Sequence, residues 1–171
     1  LPEQDEAETL LVTGGNPILE KAFSLDPNLN VAVVPPGEYT EAMTADLTVF
    51  DASAPESLGP GRYMFFGVVP PVSDIVAAGT QELPVVVEWN RSHPVNRFVG
   101  YENLQIEEAL RIRLLDPNES LVQSTRGPLL AAFERTGGIR GIYVGFDIYD
   151  SAWPLRFSFP IFLANSTDWL L

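Results

Sequence analysis

Asp51, His93, Asp147 and Asp150 are the side chains with which this chain of 171 residues is best equipped to bind a ligand or move a proton. His93 is its one histidine, and it has no cysteine. Thiol nucleophiles, thiolate metal sites and disulfides are therefore excluded. Zinc sites generally draw on several His or Cys ligands, and only one such residue is present. A Ser-His-Asp arrangement would have to join His93 to Ser53, Ser73 or Ser151 and to an acid such as Asp51 or Asp147, and no local motif selects a set. The simpler reading of His93-Pro94 is a turn, because proline holds the preceding residue in extended backbone. Asp147 and Asp150, within FDIYDS, suit a cation or polar ligand beside a hairpin, although acids so placed are more often turn formers or helix caps. The four residues form the candidate ligand-binding set, with no catalytic residue, cofactor site or metal site assigned.

Other motifs carry less chemistry. Thr13-Gly14-Gly15-Asn16 resembles an anion-binding turn at a helix N-terminus but lacks the G-x-G-x-x-G pattern and the P-loop lysine, so a tight turn into the helix is expected. The segment FFGVVPP holds no serine or cysteine for a nucleophile elbow. Trp89, Trp153 and Trp169 raise the possibility of a sugar platform, but their spacing does not line them along one surface, and large aromatics usually fill cores.

These residues are carried by a chain with 46% hydrophobic and 19% charged residues, in the globular class and long enough for one core. Its net charge of −13 repels phosphate backbones, and its ten Lys and Arg are scattered, so nucleic acid is not an expected partner. Residues 1–8, with EQDEAE, read as an acidic linker, and residues 9–171 as a single domain. The start at Leu1-Pro2-Glu3 without Met or signal pattern suggests a segment of something longer.

The elements that must position the candidates alternate. TLLVTG is a strand; Asn16 caps and Pro17 begins a helix with Ile18, Leu19, Ala22 and Phe23 on one face. NVAVVPP is a second strand, PGEYTEAMT a short helix, DLTVFDAS a third strand and RYMFFGVV a fourth. This order predicts an open parallel sheet covered on both faces. Beyond Pro71, LPVVVEWN, ALRIRLL and SLVQST read as strands, SHPVNRFV as a short helix or turn, and two apolar runs around Thr136-Gly137-Gly138 as a hairpin. The closing segment predicts a helix capped by Ser158 with Pro160 in its first turn. Its apolar face is Phe159, Phe162, Leu163 and Ser166, followed by Trp169 or Leu170, against polar Asn165, Thr167 and Asp168. It is too short in uninterrupted apolar residues to span a bilayer.

Taken together, NPILEKAF, DLTVFDAS, WNRSHPVNRFV, GPLLAAFERTGG and GFDIYDSAWPLRFSFPIFLANSTDWL resemble the class I glutamine amidotransferase-like domain of certain bacterial membrane proteins. Those proteins also carry an aerotolerance-regulator (Bat-type) N-terminal region and a von Willebrand factor A domain. The resemblance implies a flavodoxin-like three-layer α/β fold, mainly parallel, with the antiparallel hairpin near the C-terminus. It implies a soluble domain of a bacterial membrane protein, with the periplasmic side favoured and the membrane reached through flanking segments outside this chain. The expected partners are a protein or other domains of the same membrane protein, and no cofactor is expected. Glutamine amidotransferases use a Cys nucleophile with His and Glu partners, and that set does not map here because cysteine is absent. The expected function is thus a non-catalytic domain serving protein interaction or ligand binding. The alternatives are a hydrolase with a non-cysteine nucleophile and an envelope carbohydrate binder.

Overall fold

The computed structural model describes residues 5–171. Residues 1–4 of the expected linker lie outside that range, and the first strand, β1 (Ala7–Val12), takes in the last two linker positions. Next come α1 (Pro17–Ser24), β2 (Leu29–Val34), β3 (Leu47–Asp51) and β4 (Gly61–Phe66). They are followed by β5 (Ile75–Glu82), β6 (Val86–Trp89), β7 (Glu108–Leu114), β8 (Ser120–Ser124), β9 (Gly127–Arg135), β10 (Ile139–Val144) and α2 (Ser158–Leu170).

Eight strands form one sheet in the order β2-β1-β3-β4-β10-β9-β8-β6. The first five run parallel, and β9, β8 and β6 continue antiparallel from the β9–β10 hairpin. The parallel half repeats the flavodoxin-like order, in which β1 lies between the second and third strands of the chain. The fold is therefore a flavodoxin-like α/β sandwich, mainly parallel in its first half, as the resemblance implies.

Residues that alternate along the strands divide the interior in two. Leu11, Val49, Met64 and Ile142 face a core completed by Leu19 and Phe23 of α1 and Phe159 and Phe162 of α2. Val12, Phe50, Phe65 and Tyr143 face the other side, where Ile75 and Ile112 of a separate two-stranded sheet, β5–β7, join them. Both α-helices thus lie on one face, and the second face is covered by strands and loops rather than by the expected helices. The reason is local. PGEYTEAMT forms only a 3-10 turn at Pro36–Glu38, because Gly37, Thr40 and Thr44 are poor helix formers and too few strong ones stand between them to extend the turn. SAPESLGPG, with two prolines and two glycines, forms no helix either.

At α1, Asn16 accepts from Leu19 N (3.1 Å) and Pro17 is the first helical residue, as expected. At α2 the expectation needs two corrections. Ser158 is already helical, and its Oγ accepts from Trp153 Nε1 (3.0 Å), so it ties the indole rather than capping the helix. Thr167 is buried with Phe159, Phe162, Leu163, Ser166 and Leu170. Among the described residues no helix is long and apolar enough to cross a membrane.

Candidate functional site

In an open α/β sheet, the crevice forms outside the strand carboxyl ends where successive connections leave in opposite directions. Here that point lies between β1 and β3, and the two loops meeting there are Thr13–Asn16 and Asp51–Ser53. Asp51 Oδ2 accepts from the Thr13 hydroxyl (2.7 Å) and from Asn16 Nδ2 (3.2 Å). Thr13 Oγ1 in turn accepts from Gly15 N (3.1 Å), and Asn16 N donates to Glu20 Oε2 (3.1 Å). The Gly15, Asn16 and Leu19 amides are thus already bonded to side chains, and the Asp51 carboxylate adds a negative charge beside the turn. The turn is a tight loop, not an anion site. Next to Asp51, Ala52 holds a left-handed backbone (φ 59°), a strained conformation for a residue with a Cβ, and its N donates to Phe66 O (2.9 Å).

Beside these loops lies an open cleft of about 370 Å³. Val12 and Phe50 contribute from the strand ends, and Pro36, Tyr39, Glu41 and Ser53 from the loops after β2 and β3. Among the described residues no Lys or Arg lines it. The Tyr39 ring meets Phe50 edge to face at 5.2 Å. Burial first, and then the charge of Glu41, push the Tyr39 phenol above its ordinary value, so it remains a neutral donor and acceptor. Ser57 Oγ donates to Glu41 Oε1 (3.3 Å), and the Tyr63 hydroxyl donates to Gly59 O (2.8 Å), anchoring the loops that frame the cleft. Tyr39 and Glu41 escape sequence reasoning because their segment reads as a helix. The Pro-Pro-Gly at its start is the signal that a loop follows.

On the strand beside β3, Gly67 at the carboxyl end of β4 occupies the left-handed region (φ 67°) and donates from its N to Val144 O (2.9 Å). A left-handed strand-end turn can present a nucleophile, but the residue here is glycine, which takes this backbone without strain. A Cβ built on it would lie 3.4 Å from Asp147 N. Asp147 itself accepts from Tyr149 N (2.9 Å) and starts the 3-10 turn Ile148–Asp150. The Asp150 carboxyl is pushed up by burial and then by the negative charges of Asp147, Glu107 and Glu108.

His93 lies elsewhere. Its ring packs against Trp169 (5.2 Å), which also carries the Arg140 guanidinium over its face (4.6 Å). Arg140 is near the start of β10, so this stack stands at the amino ends of the parallel strands, opposite Asp51 and Asp147. Nδ1 of His93 accepts from Val95 N (3.1 Å), which shapes the turn at Pro94–Asn96. Among the described residues, no three His, Asp or Glu side chains gather to hold a metal ion. Ser151 is committed to Leu104 O (2.7 Å) and to Trp153 N (3.0 Å), and Trp153 is fully buried among Tyr101, Phe146, Phe159 and Phe162. The three tryptophans form no shared platform: Trp89 packs on Tyr101, Trp169 on His93, and Trp153 in the core.

A flavodoxin-like sandwich with a cleft at its switch point is the class that this geometry defines. No protein-family model matches the chain, and no curated protein does. Solved structures match it over nearly their whole length. Cytoplasmic Protein STM3548 from Salmonella typhimurium is similar with a TM-score of 0.70 at 8% identity, covering 96% of this chain and 98% of that one. Cytoplasmic Protein STM1381 from Salmonella typhimurium LT2 is similar with a TM-score of 0.64 at 12% identity, covering 95% and 99%. At these identities the likeness is one of fold. The expected setting, a soluble domain of a bacterial membrane protein with the periplasmic side favoured, is corrected by these matches, since both of the proteins are named cytoplasmic.

Proposed function

We propose that the chain is a non-catalytic, glutamine amidotransferase-like domain of a cytoplasmic protein that binds a small polar ligand in the cleft beside Tyr39, Glu41 and Ser53. The observation that carries this reading is the separation of the one histidine from the cleft. The crevice offers a phenol, a carboxylate and a hydroxyl, whereas His93 is spent on a turn at the far end of the sheet. Without thiol or imidazole, the crevice lacks the Ser–His and Cys–His pairs that most often activate such a nucleophile. Gly67, in the left-handed turn at the end of β4, supports the same reading because it has no side chain with which to attack.

The test combines chemistry with binding on the purified protein. Glutamine is expected to release no ammonia above a heat-killed control. In amide NMR spectra, a panel of glutamine, glucose, choline and inorganic phosphate is expected to contain at least one member that shifts Tyr39, Glu41 and Ser53, while phosphate leaves them in place. Ammonia release would overturn the non-catalytic half of the proposal. A cleft unmoved by every member of the panel would overturn the binding half.

A further inference from the structure

We infer that the cleft between Tyr39 and Glu41 is a site for a small organic ammonium ion with an apolar body. The inference deepens the ligand-binding reading and rests on it. Among the described residues Glu41 is the one charged side chain that lines the cleft, so the field inside favours a cation and disfavours an anion. The chain's net charge of −13 adds to that field over a longer range. Aromatic rings attract cations through their negative faces, and the half-buried Tyr39 ring stands two residues from Glu41 along the same loop. Val12, Pro36 and Pro55 supply apolar surface for the methyl or methylene groups that an ammonium carries. A metal ion requires more ligands than the single carboxylate present, and among the described residues no three-acid or acid-histidine group stands ready to hold one. A second cleft, lined by Asp5, Asp26 and Asp168, also carries negative charge, but it lies at the amino ends of β1 and β2 and, among the described residues, has no aromatic wall.

The probe is choline, compared with its neutral carbon isostere 3,3-dimethylbutan-1-ol, by NMR titration of the labelled protein. Choline is expected to shift Tyr39, Glu41 and Ser53 saturably, and the isostere to bind about tenfold more weakly, as befits a cation–π contact helped by one carboxylate. Glu41 is exposed, so Glu41→Gln keeps the fold and is expected to weaken choline about three- to tenfold and reduce its sensitivity to salt. Tyr39→Leu should weaken choline similarly, whereas Tyr39→Phe, which keeps the ring, should retain most of the affinity. Equal binding of choline and its isostere, or an unchanged affinity in Glu41→Gln, would overturn the ammonium assignment while leaving the cleft as a ligand site. Cleft shifts with glucose or glutamine but none with choline would do the same. Silence of the cleft toward every probe would overturn both readings.

Discussion

The Thr13 hydroxyl donates a 2.7 Å hydrogen bond to Asp51 Oδ2, joining the carboxyl ends of β1 and β3 through their side chains. The same oxygen takes the Asn16 amide, so one carboxylate sets the course of the loop into α1. Thr13 and Asn16 are both 2% exposed, and neither donor has ready access to water as a substitute. Asp51→Ala is therefore expected to lower stability by about 1 to 3 kcal/mol, the usual consequence of orphaning buried donors. Urea denaturation of Asp51→Ala, Thr13→Val and the double variant measures it. A double variant less destabilised than the sum of the singles would show the coupling. Strict additivity would show that the bond carries no stability.

His93 is expected to titrate below its ordinary value of about 6.5. Burial is the leading cause; Glu134 opposes it by raising the value, and Arg140 lowers it further. The geometry agrees, since protonating Nδ1 would remove the acceptor that Val95 N uses. A pKa depressed in the fold means that the unfolded chain binds more protons between the two values, so stability falls as pH falls. The contribution of His93 is present in full above about pH 6.5 and is lost as pH drops through the folded value. NMR titration of this single imidazole gives the folded value directly. His93→Asn should remove that part of the pH dependence while changing stability at neutral pH by about 1 to 2 kcal/mol. A titration midpoint above the ordinary value would show that Glu134 outweighs burial.

Across the β9–β10 hairpin, Gly141 is paired with Phe133, whose ring lies where a Cβ would be. A built Cβ would approach Cε1 of that ring to 2.7 Å, too close without movement. Phe133 is buried and packed near Phe65 (6.3 Å), so its retreat is hindered. Gly141→Ala is expected to destabilise the domain by about 1 to 3 kcal/mol through overpacking. Adding Phe133→Leu should recover part of the loss. A thermal midpoint unchanged by Gly141→Ala would contradict the packing described.

Much of the fold is legible in local signals. Asn16-Pro17, followed by Leu19 and Phe23 at helical spacing, starts a helix because the amide caps and the proline ring presets φ. Thr136-Gly137-Gly138 turns the chain because two glycines adopt left-handed backbone there (φ 88° and 78°). Periodicity alone misses β5, whose sequence IVAAGTQE has few large apolar residues and a bulge between Ala77 and Thr80. That strand is held by β7 rather than by its own pattern. The site is less legible still. Asp51, Asp147 and Asp150 do stand at strand carboxyl ends or just beyond them, as their positions after apolar runs imply, but their spacing says nothing of what each carboxylate faces.

Composition and order by themselves determine that this chain has no thiol chemistry, one imidazole, a strongly negative field and alternating α/β elements, because those properties need only residue identity and neighbours along the chain. Tertiary structure decides that β1 and β3 lie side by side, that Asp51 bonds Thr13 across 38 positions, and that His93 is carried to the opposite end of the sheet. It also decides that a proline-broken loop, not a helix, brings Tyr39 and Glu41 to the edge of the cleft. The physical reason is range: dihedral preferences and hydrophobic period act over a few residues, whereas the meeting of distant side chains depends on which strands pair and which loops are left free to fold over the sheet.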